Sequence, residues 1–453
     1  MELLEQILNA GVVGCGGAGF PTHVKLRCTV DTLIVNGAEC EPLLRTDRWL
    51  MRHKAPELIA GAVLAAKAVG AAKTCIALKE TYLAEQQALG AAIAAANSPV
   101  TLFPLTNFYP AGDEQMMVLD VTGKTVPPAG IPLDVGAVVS NVATLFAVYE
   151  AAQGIPFTQK YLTVTGEVAA PTVLCAPIGT SFAQCIAAAG GTALEDYRVL
   201  SGGPLMGKLF TKEEAAGQVV TKTTSGIVVL PADIPLVSQR ETPLRTVLRR
   251  AKTSCIQCST CTELCPRHLS GHPLQPHKIM RKLAFAENVA DILDDFDVQQ
   301  ALTCSECGVC ETYACPMGLQ PRKVNAYLKG ELAKSGIRYE KTAGPFTAQE
   351  ARDWRRSPSR RIATRLGVEG YYDYDIDTLQ VVTPQKVTIP LKQHIGAPCI
   401  PCVAVGDHVT LGQKIGALPE NALGTTLSAS MEGTVTEISD CIVIERSEGS
   451  WKP

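Results

Sequence analysis

Eight of the 17 cysteines in this 453-residue chain fall into two short runs. The first is Cys255, Cys258, Cys261 and Cys265, followed by Pro266. The second is Cys304, Cys307, Cys310 and Cys315, followed by Pro316. In each run two residues separate the first three cysteines, so one tight loop carries three thiolates, while the fourth reaches away. That spacing suits a cubane of iron and sulfide, in which each iron takes one thiolate. Zinc sites built from paired Cys-x2-Cys units fit a run of three cysteines poorly. A disulfide framework suits a small secreted domain, and the opening "MELLEQILNAG" lacks the cationic flank of a signal peptide. The expected chemistry is one-electron transfer at two [4Fe–4S] clusters.

In two-cluster ferredoxins the fourth cysteine of one run binds the other cluster. Cys255, Cys258 and Cys261 are therefore expected to share a cluster with Cys315, and Cys304, Cys307 and Cys310 with Cys265. Four residues, not three, precede Cys315. Crossing absorbs the extra one, which lies outside the three-thiol loop. The isolated Cys399-x2-Cys402 pair reads as two small apolar side chains, and His268, His272 and His277 read as loop histidines.

A second stretch of chemical interest is "GVVGCGGAGFPTHVKL", from Gly11 to Leu26. Glycines crowded together remove side chains, letting a flat or phosphorylated group approach the backbone. A linker would bring Ser, Thr and charge instead. The string is not the strand–GxGxxG–helix of a dinucleotide fold. Clusters that carry single electrons need a source, and a hydride donor delivers two electrons together. A flavin is the usual converter between the two.

These residues must be held by elements. From Leu33 to about Glu150 short apolar runs alternate with Ala-rich helical stretches, the pattern of a wound α/β sheet. From Tyr161 a small β-rich unit of roughly 80 residues follows. The chain then turns helical around the cysteines. Six arginines between Ala351 and Arg365, followed by "GYYDYDID", read as a solvated linker, with a docking surface as the alternative. Short strands and glycine turns close the chain as an all-β lobe. A net charge of −3 gives no bulk reason to expect nucleic acid or an anionic membrane as partner, and no apolar run is long enough to span a bilayer.

The motifs "GCGGAGFPTHVK", "VNGAECEP" at 35–42, "YPAGDEQ" at 109–115 and "VVSNVATL" at 138–145 occur in a telling order. It is the order of the FMN-bearing, NADH-oxidising subunit of respiratory complex I. They resemble still more closely the C subunit of Rnf electron-transport complexes. With the cysteine runs following a small β unit, the whole chain resembles the cobalamin reductases of propanediol-utilisation microcompartments.

The resemblance implies a mixed α/β fold: an FMN/NADH-binding domain (1–155), a β-grasp domain of the SLBB type (156–240) and a two-cluster ferredoxin-like domain (241–340). A charged linker (341–384) and a barrel-sandwich β lobe (385–453) complete it. That lobe begins the Rnf protein but ends this chain. The implied cofactors are FMN and two [4Fe–4S] clusters, with NADH as substrate. The implied acceptor is a corrinoid, taken from cob(III)alamin towards cob(I)alamin to restore a B12-dependent diol dehydratase. The alternative is relay to another acceptor, a glycyl-radical system or a cluster-bearing shell protein. The implied place is the cytoplasm, within a bacterial microcompartment, with a shell protein and a cobalamin adenosyltransferase as candidate partners.

Residue by residue, the resemblance has Gly14, Gly16 and Gly17 admit the flavin against backbone, and Lys25 neutralise its phosphate. Asn36, Glu39 and Glu41 line its polar edge. Gly112, Asp113 and Glu114 stand where complex I has Gly-Glu-Glu, with Glu114 on the nicotinamide side. Asn141 and Thr144 close the phosphate pocket, and Phe20 stacks near the incoming nicotinamide. An ordinary surface role for Lys25 and a core role for Phe20 stay open. Cys15 and Ala38 stand where complex I has an arginine and a carboxylate, departures that bear on nicotinamide more than on flavin.

Overall fold

The computed structural model describes residues 2–341 and 344–446; Met1, two residues of the expected linker and the last seven of the expected β lobe lie outside the described residues. Strands β1 (Thr32–Asn36), β2 (Lys73–Lys79), β3 (Thr101–Leu105) and β4 (Ala137–Asn141) form an all-parallel sheet in the order β3-β2-β1-β4. The inner strands β1 and β2 are apolar on both faces, with Leu33, Ile34, Val35, Ile76, Ala77 and Leu78 buried, as a sheet covered by helices on both sides requires. On one face the helices Ala55–Val69 and Val142–Ala152 approach so closely that a Cβ on Gly61 would strike the Leu145 carbonyl. Strand order reverses between β1 and β4, and open α/β sheets hold ligands outside the carboxyl ends at such a point. The glycine loop follows the first helix, Leu3–Ala10, which Gly11 ends with a left-handed φ of 78°.

The second unit is a mixed six-stranded sheet of β5 (Gln159–Gly166), β6 (Thr172–Pro177), β7 (Tyr197–Ser201), β8 (Lys208–Thr211), β9 (Gly226–Pro231) and β10 (Leu379–Val381). Its order is β10-β6-β5-β9-β7-β8. The edge strand β10 comes from the stretch expected as a linker and pairs in parallel with β6.

That expectation needs correction. The helix Ser359–Leu366 buries Ile362, Ala363 and Leu366 against Leu200, Leu236 and Val237, while its arginines take the other face. Arg352 pairs with Asp120 at 2.7 Å, and Arg356 lies over the Phe108 ring at 4.8 Å. The apolar positions recur at helical spacing inside the charge run, so the segment is a packed strap. Long arginine stems cover apolar surface while their heads stay wet.

Around the cysteines, the helices Leu244–Ser254, Pro276–Phe285 and Pro321–Lys334 share a core of Val247, Ala251, Ile279, Met280, Val324 and Leu328. The last lobe stacks a four-stranded sheet on a three-stranded one around Val387, Ile389, Val409, Ile415, Val435 and Ile444. It docks on the first helix through buried Lys222, whose Nζ donates to the carbonyls of Gly11 (2.6 Å) and Thr426 (2.8 Å). Among the described residues no helix is long and apolar enough to cross a membrane.

Candidate functional site

A cavity of about 400 Å³ opens at the carboxyl ends of β1 and β4, and a smaller one of about 150 Å³ adjoins it. Gly16, Gly17, Asn36, Gly112 and Asn141 border both. Glu39, Glu41 and Asp113 line the larger; Gly14, Phe20, Lys25, Glu114 and Thr144 line the smaller. All thirteen residues singled out in the first domain thus surround one divided space.

The glycine loop is bent over the first turn of the helix Val142–Ala152. Gly14 N donates to Phe20 O (2.9 Å), and Cys15 N donates to Thr144 Oγ1 (2.9 Å). Asn141 caps that helix by accepting from Ala143 N (2.9 Å), and its Nδ2 donates to Asp47 Oδ2 (2.6 Å). A Cβ at Gly16 would sit 3.0 Å from the Asn141 side chain, whereas one at Gly17 would meet nothing within 4 Å. The cradle at Gly17 is one that a Cβ would fill. Phe20 stands at the rim, 37% exposed, not in the core.

Several polar side chains are committed elsewhere than the sequence reading placed them. Lys25 Nζ pairs with Glu114 Oε1 at 2.5 Å. Glu41 accepts from Leu205 N (2.9 Å) and Met206 N (2.8 Å), in the β7–β8 connection of the second unit. Asp113 caps the helix Glu114–Thr122 and takes both guanidinium nitrogens of Arg267, at 2.6 and 2.9 Å. Asn36 Nδ2 donates to Gly112 O (2.9 Å), which fixes the two motifs against each other. Glu39 accepts from Asp47 N (2.8 Å). Burial pushes the Glu39 and Asp47 carboxyls above the usual range, and at Glu39 the charge of Asp47 adds to the rise.

The cysteine runs interlock. Cys255, Cys258, Cys261 and Cys315 line one small pocket with Ile256, Met280, Met317 and Leu319, and no carboxylate lines it. In the other set Cys310 lies within electrostatic reach of Cys304, Cys307 and Cys265. The fold therefore places each fourth cysteine with the opposite run. Among the described residues no three His, Cys, Asp or Glu side chains close on a point that would hold a single ion. Burial pushes the Cys307 thiol up to about 11 and Cys261 up to about 12, and raises Cys265 and Cys310 as well. Such thiols keep their protons at neutral pH unless a metal displaces them, and metal binding releases protons.

Local geometry repeats between the runs. Gln257 (φ 56°) and Ser259 (φ 62°) flank Cys258, as Glu306 (φ 56°) and Gly308 (φ 83°) flank Cys307. These left-handed residues fold the loop around its thiols. Glu306 N donates to Cys304 Sγ (3.4 Å), Leu319 N to Cys315 Sγ (3.3 Å) and Thr260 Oγ1 to Cys258 Sγ (3.3 Å). Hydrogen bonds to ligand sulfur orient thiolates and set cluster potentials. Four thiols around a pocket with no carboxylate, where the one imidazole on the wall, His277, is engaged by Thr262, fit an iron–sulfur cluster.

The second cysteine run meets the cavity at Cys307, which lines the larger cavity together with Gly17. Tyr109 Oη donates to Cys307 O at 2.8 Å. Tyr109, Cys40, Lys160, Arg267 and the loop Ser201–Gly207 were not assigned from sequence. Tyr109 and Cys40 lie inside quoted motifs without having been singled out, and the loop's one signal was its glycine-rich "VLSGGPLMG", in which nothing local says where it folds. The loop histidines also differ from expectation. His272 is buried, its Nε2 against Val126 O (2.8 Å), and burial lowers it to about 4; His277 Nδ1 meets Thr262 Oγ1 at 2.7 Å. Cys399 is buried, as an apolar side chain would be, with Sγ towards Thr425 O, but Cys402 is exposed.

Comparison with known proteins matches this architecture module by module. The Nuo51 FMN-binding domain matches residues 7–150, the SLBB domain 161–209, the 4Fe-4S dicluster domain 254–320 and the RnfC barrel sandwich hybrid domain 374–450. Cobalamin reductase PduS of Citrobacter freundii is 44% identical over 96% of this chain and 94% of its own length. That of Salmonella typhimurium is 43% identical over 97% and 95%. The C subunit of the Na(+)-translocating ferredoxin:NAD(+) oxidoreductase complex of Acetobacterium woodii is 37% identical over 58% of each chain. The chain belongs to the PduS family of cobalamin reductases, and it is an oxidoreductase enzyme with FMN-binding and iron–sulfur modules.

Proposed function

We propose that the chain takes electrons from NADH at an FMN held in the divided cavity and passes them through two [4Fe–4S] clusters to a corrinoid. Cob(III)alamin would be carried towards cob(I)alamin, restoring a B12-dependent diol dehydratase inside a bacterial microcompartment. Bound FMN supplies the conversion of a two-electron hydride into single electrons. Gly16 and Gly17 offer backbone, Asn141 and the helix behind it offer N–H groups, and Phe20 and Glu114 stand where a nicotinamide would enter. Cys255, Cys258, Cys261 and Cys315 would hold one cluster; Cys304, Cys307, Cys310 and Cys265 the other.

The observation that carries this reading is Cys307, a cluster ligand in the wall of the flavin cavity. The likeness to PduS supports the corrinoid as acceptor. A second reading rests on Cys258 and Ile256, which are exposed. That open edge suits relay to a protein acceptor, such as a glycyl-radical system or a cluster-bearing shell protein, without corrinoid reduction.

Anaerobic titration with NADH, followed by aquacobalamin, tests both. The expected result is bleaching of flavin absorbance, then of cluster absorbance, and then the spectrum of reduced cobalamin. No bleaching by NADH overturns the proposal. Bleaching without cobalamin reduction moves it to the second reading.

A further inference from the structure

Lys160 sits on β5, outside the domain expected to bind the flavin, and only 3% of it is exposed. It lines the larger cavity. Among the described residues its ammonium makes no hydrogen bond and no ion pair; its one ring contact is the Phe157 face, 6.0 Å away. The negative charge that reaches it belongs to Asp47, whose Oδ2 is already taken by Asn141 Nδ2 at 2.6 Å. The ammonium of this largely buried side chain faces the cavity without an acceptor of its own, a position that favours an acceptor supplied by a ligand. The same end of the cavity holds Asn141 and Ala143, the first turn of the eleven-residue helix Val142–Ala152. Ala143 N is taken by Asn141 Oδ1, while the helix dipole and the other first-turn N–H groups favour an anion there. Lys25, the lysine expected from sequence to meet phosphate, is paired with Glu114 instead.

We propose that Lys160, together with the N-terminus of the helix Val142–Ala152, forms a phosphate subsite in the larger cavity. The β-grasp unit thus supplies part of the nucleotide site. The phosphate is either that of FMN or one of the nicotinamide dinucleotide. This inference rests on the flavin reading above, and the two fail separately. Wild-type chain that binds no FMN sinks the flavin reading. Wild-type chain that binds FMN, with variants that behave like it, sinks only the subsite.

The test uses full-length, cluster-loaded chain, stripped of flavin for binding and reloaded with FMN for kinetics. Lys160→Met and Lys160→Gln are titrated with FMN and with riboflavin, which lacks the phosphate, and then assayed with NADH. If the FMN phosphate sits there, FMN binding weakens about ten- to a hundredfold and riboflavin binding does not change. If the dinucleotide sits there, both flavins bind as before, while KM for NADH rises about as much at constant kcat. Equal weakening of FMN and riboflavin, unchanged FMN and NADH behaviour, or loss of iron and fold in both variants would each overturn the proposal.

Discussion

Gly17→Val separates a flavin cradle from a mere turn. A Cβ at Gly17 meets nothing within 4 Å, and the residue borders both cavities, of about 400 and about 150 Å³. Its φ is not left-handed, so a side chain brings no backbone strain there. The flavin-free chain should therefore keep its thermal midpoint and its iron. The ligand, by contrast, must meet three new carbons where it would have touched backbone. Overfilling a packed site costs about 1–3 kcal/mol. At about 1.4 kcal/mol per decade this makes FMN bind roughly 5- to 150-fold more weakly. Gly16 is the control that misleads. Its Cβ would stand 3.0 Å from Asn141, which caps a helix and holds Asp47, so Gly16→Val disturbs the protein with or without flavin. The assay is fluorescence-quenching titration of FMN into deflavinated chain, with iron content and thermal midpoint measured alongside. If Gly17→Val binds FMN as tightly as wild type, the glycine loop does not cradle the flavin.

Crossed cluster ligation predicts a pattern of iron loss. Wild-type chain should hold about eight irons, Cys265→Ala about four, Cys265→Ala/Cys304→Ala no fewer, and Cys265→Ala/Cys255→Ala almost none; loss in the Cys304 double variant refutes the crossing. Arg267→Met leaves the Asp113 carboxylate largely buried without its partner and should destabilise the chain by about 3–5 kcal/mol, with partial recovery on adding Asp113→Asn. Thermal midpoints of the two variants check this. Glu39 and Asp47 hold their protons more tightly folded than unfolded, so unfolding releases protons and stability falls as pH rises above the usual carboxylate range. Midpoints from about pH 5 to about pH 9 should show that fall, flattened in Glu39→Gln.

What was legible in the sequence was local. The cysteines of each run lie within a dozen residues of each other, and each glycine motif is read within one loop. What was illegible depends on distant partners. Glu41 was expected at the flavin with its motif neighbours; it lines the larger cavity with them, but its carboxylate is claimed by backbone 164 residues later. The strap from Ala351 to Leu379 was misread because six arginines outweigh Ile362, Ala363 and Leu366 in composition, though not in helical period. Lys160 gave no signal at all, since a lone lysine in an alternating strand reads as solvent-facing until the neighbouring domain closes over it.

Glu41 and Asp113, which sequence reasoning gave to the flavin, line the larger cavity and also tie neighbouring units to it. Glu41 draws in the β-grasp loop at Leu205, whose carbonyl also accepts from Arg240 and from Arg322 Nη1 (2.6 Å). Arg322 in turn pairs with Glu311, next to Cys310. Asp113 draws in Arg267, two residues beyond Cys265. Tyr109 reaches the Cys307 carbonyl. Three units therefore converge on one cavity through buried polar contacts, each close in sequence to a cluster ligand or a glycine motif. Electron transfer between cofactors needs their separation held constant, and close-packed interiors with fully engaged polar groups supply that constancy. On the proposed reading, charge at these positions serves the distance between centres, while Lys160 faces the cavity with no hydrogen bond or ion pair among the described residues.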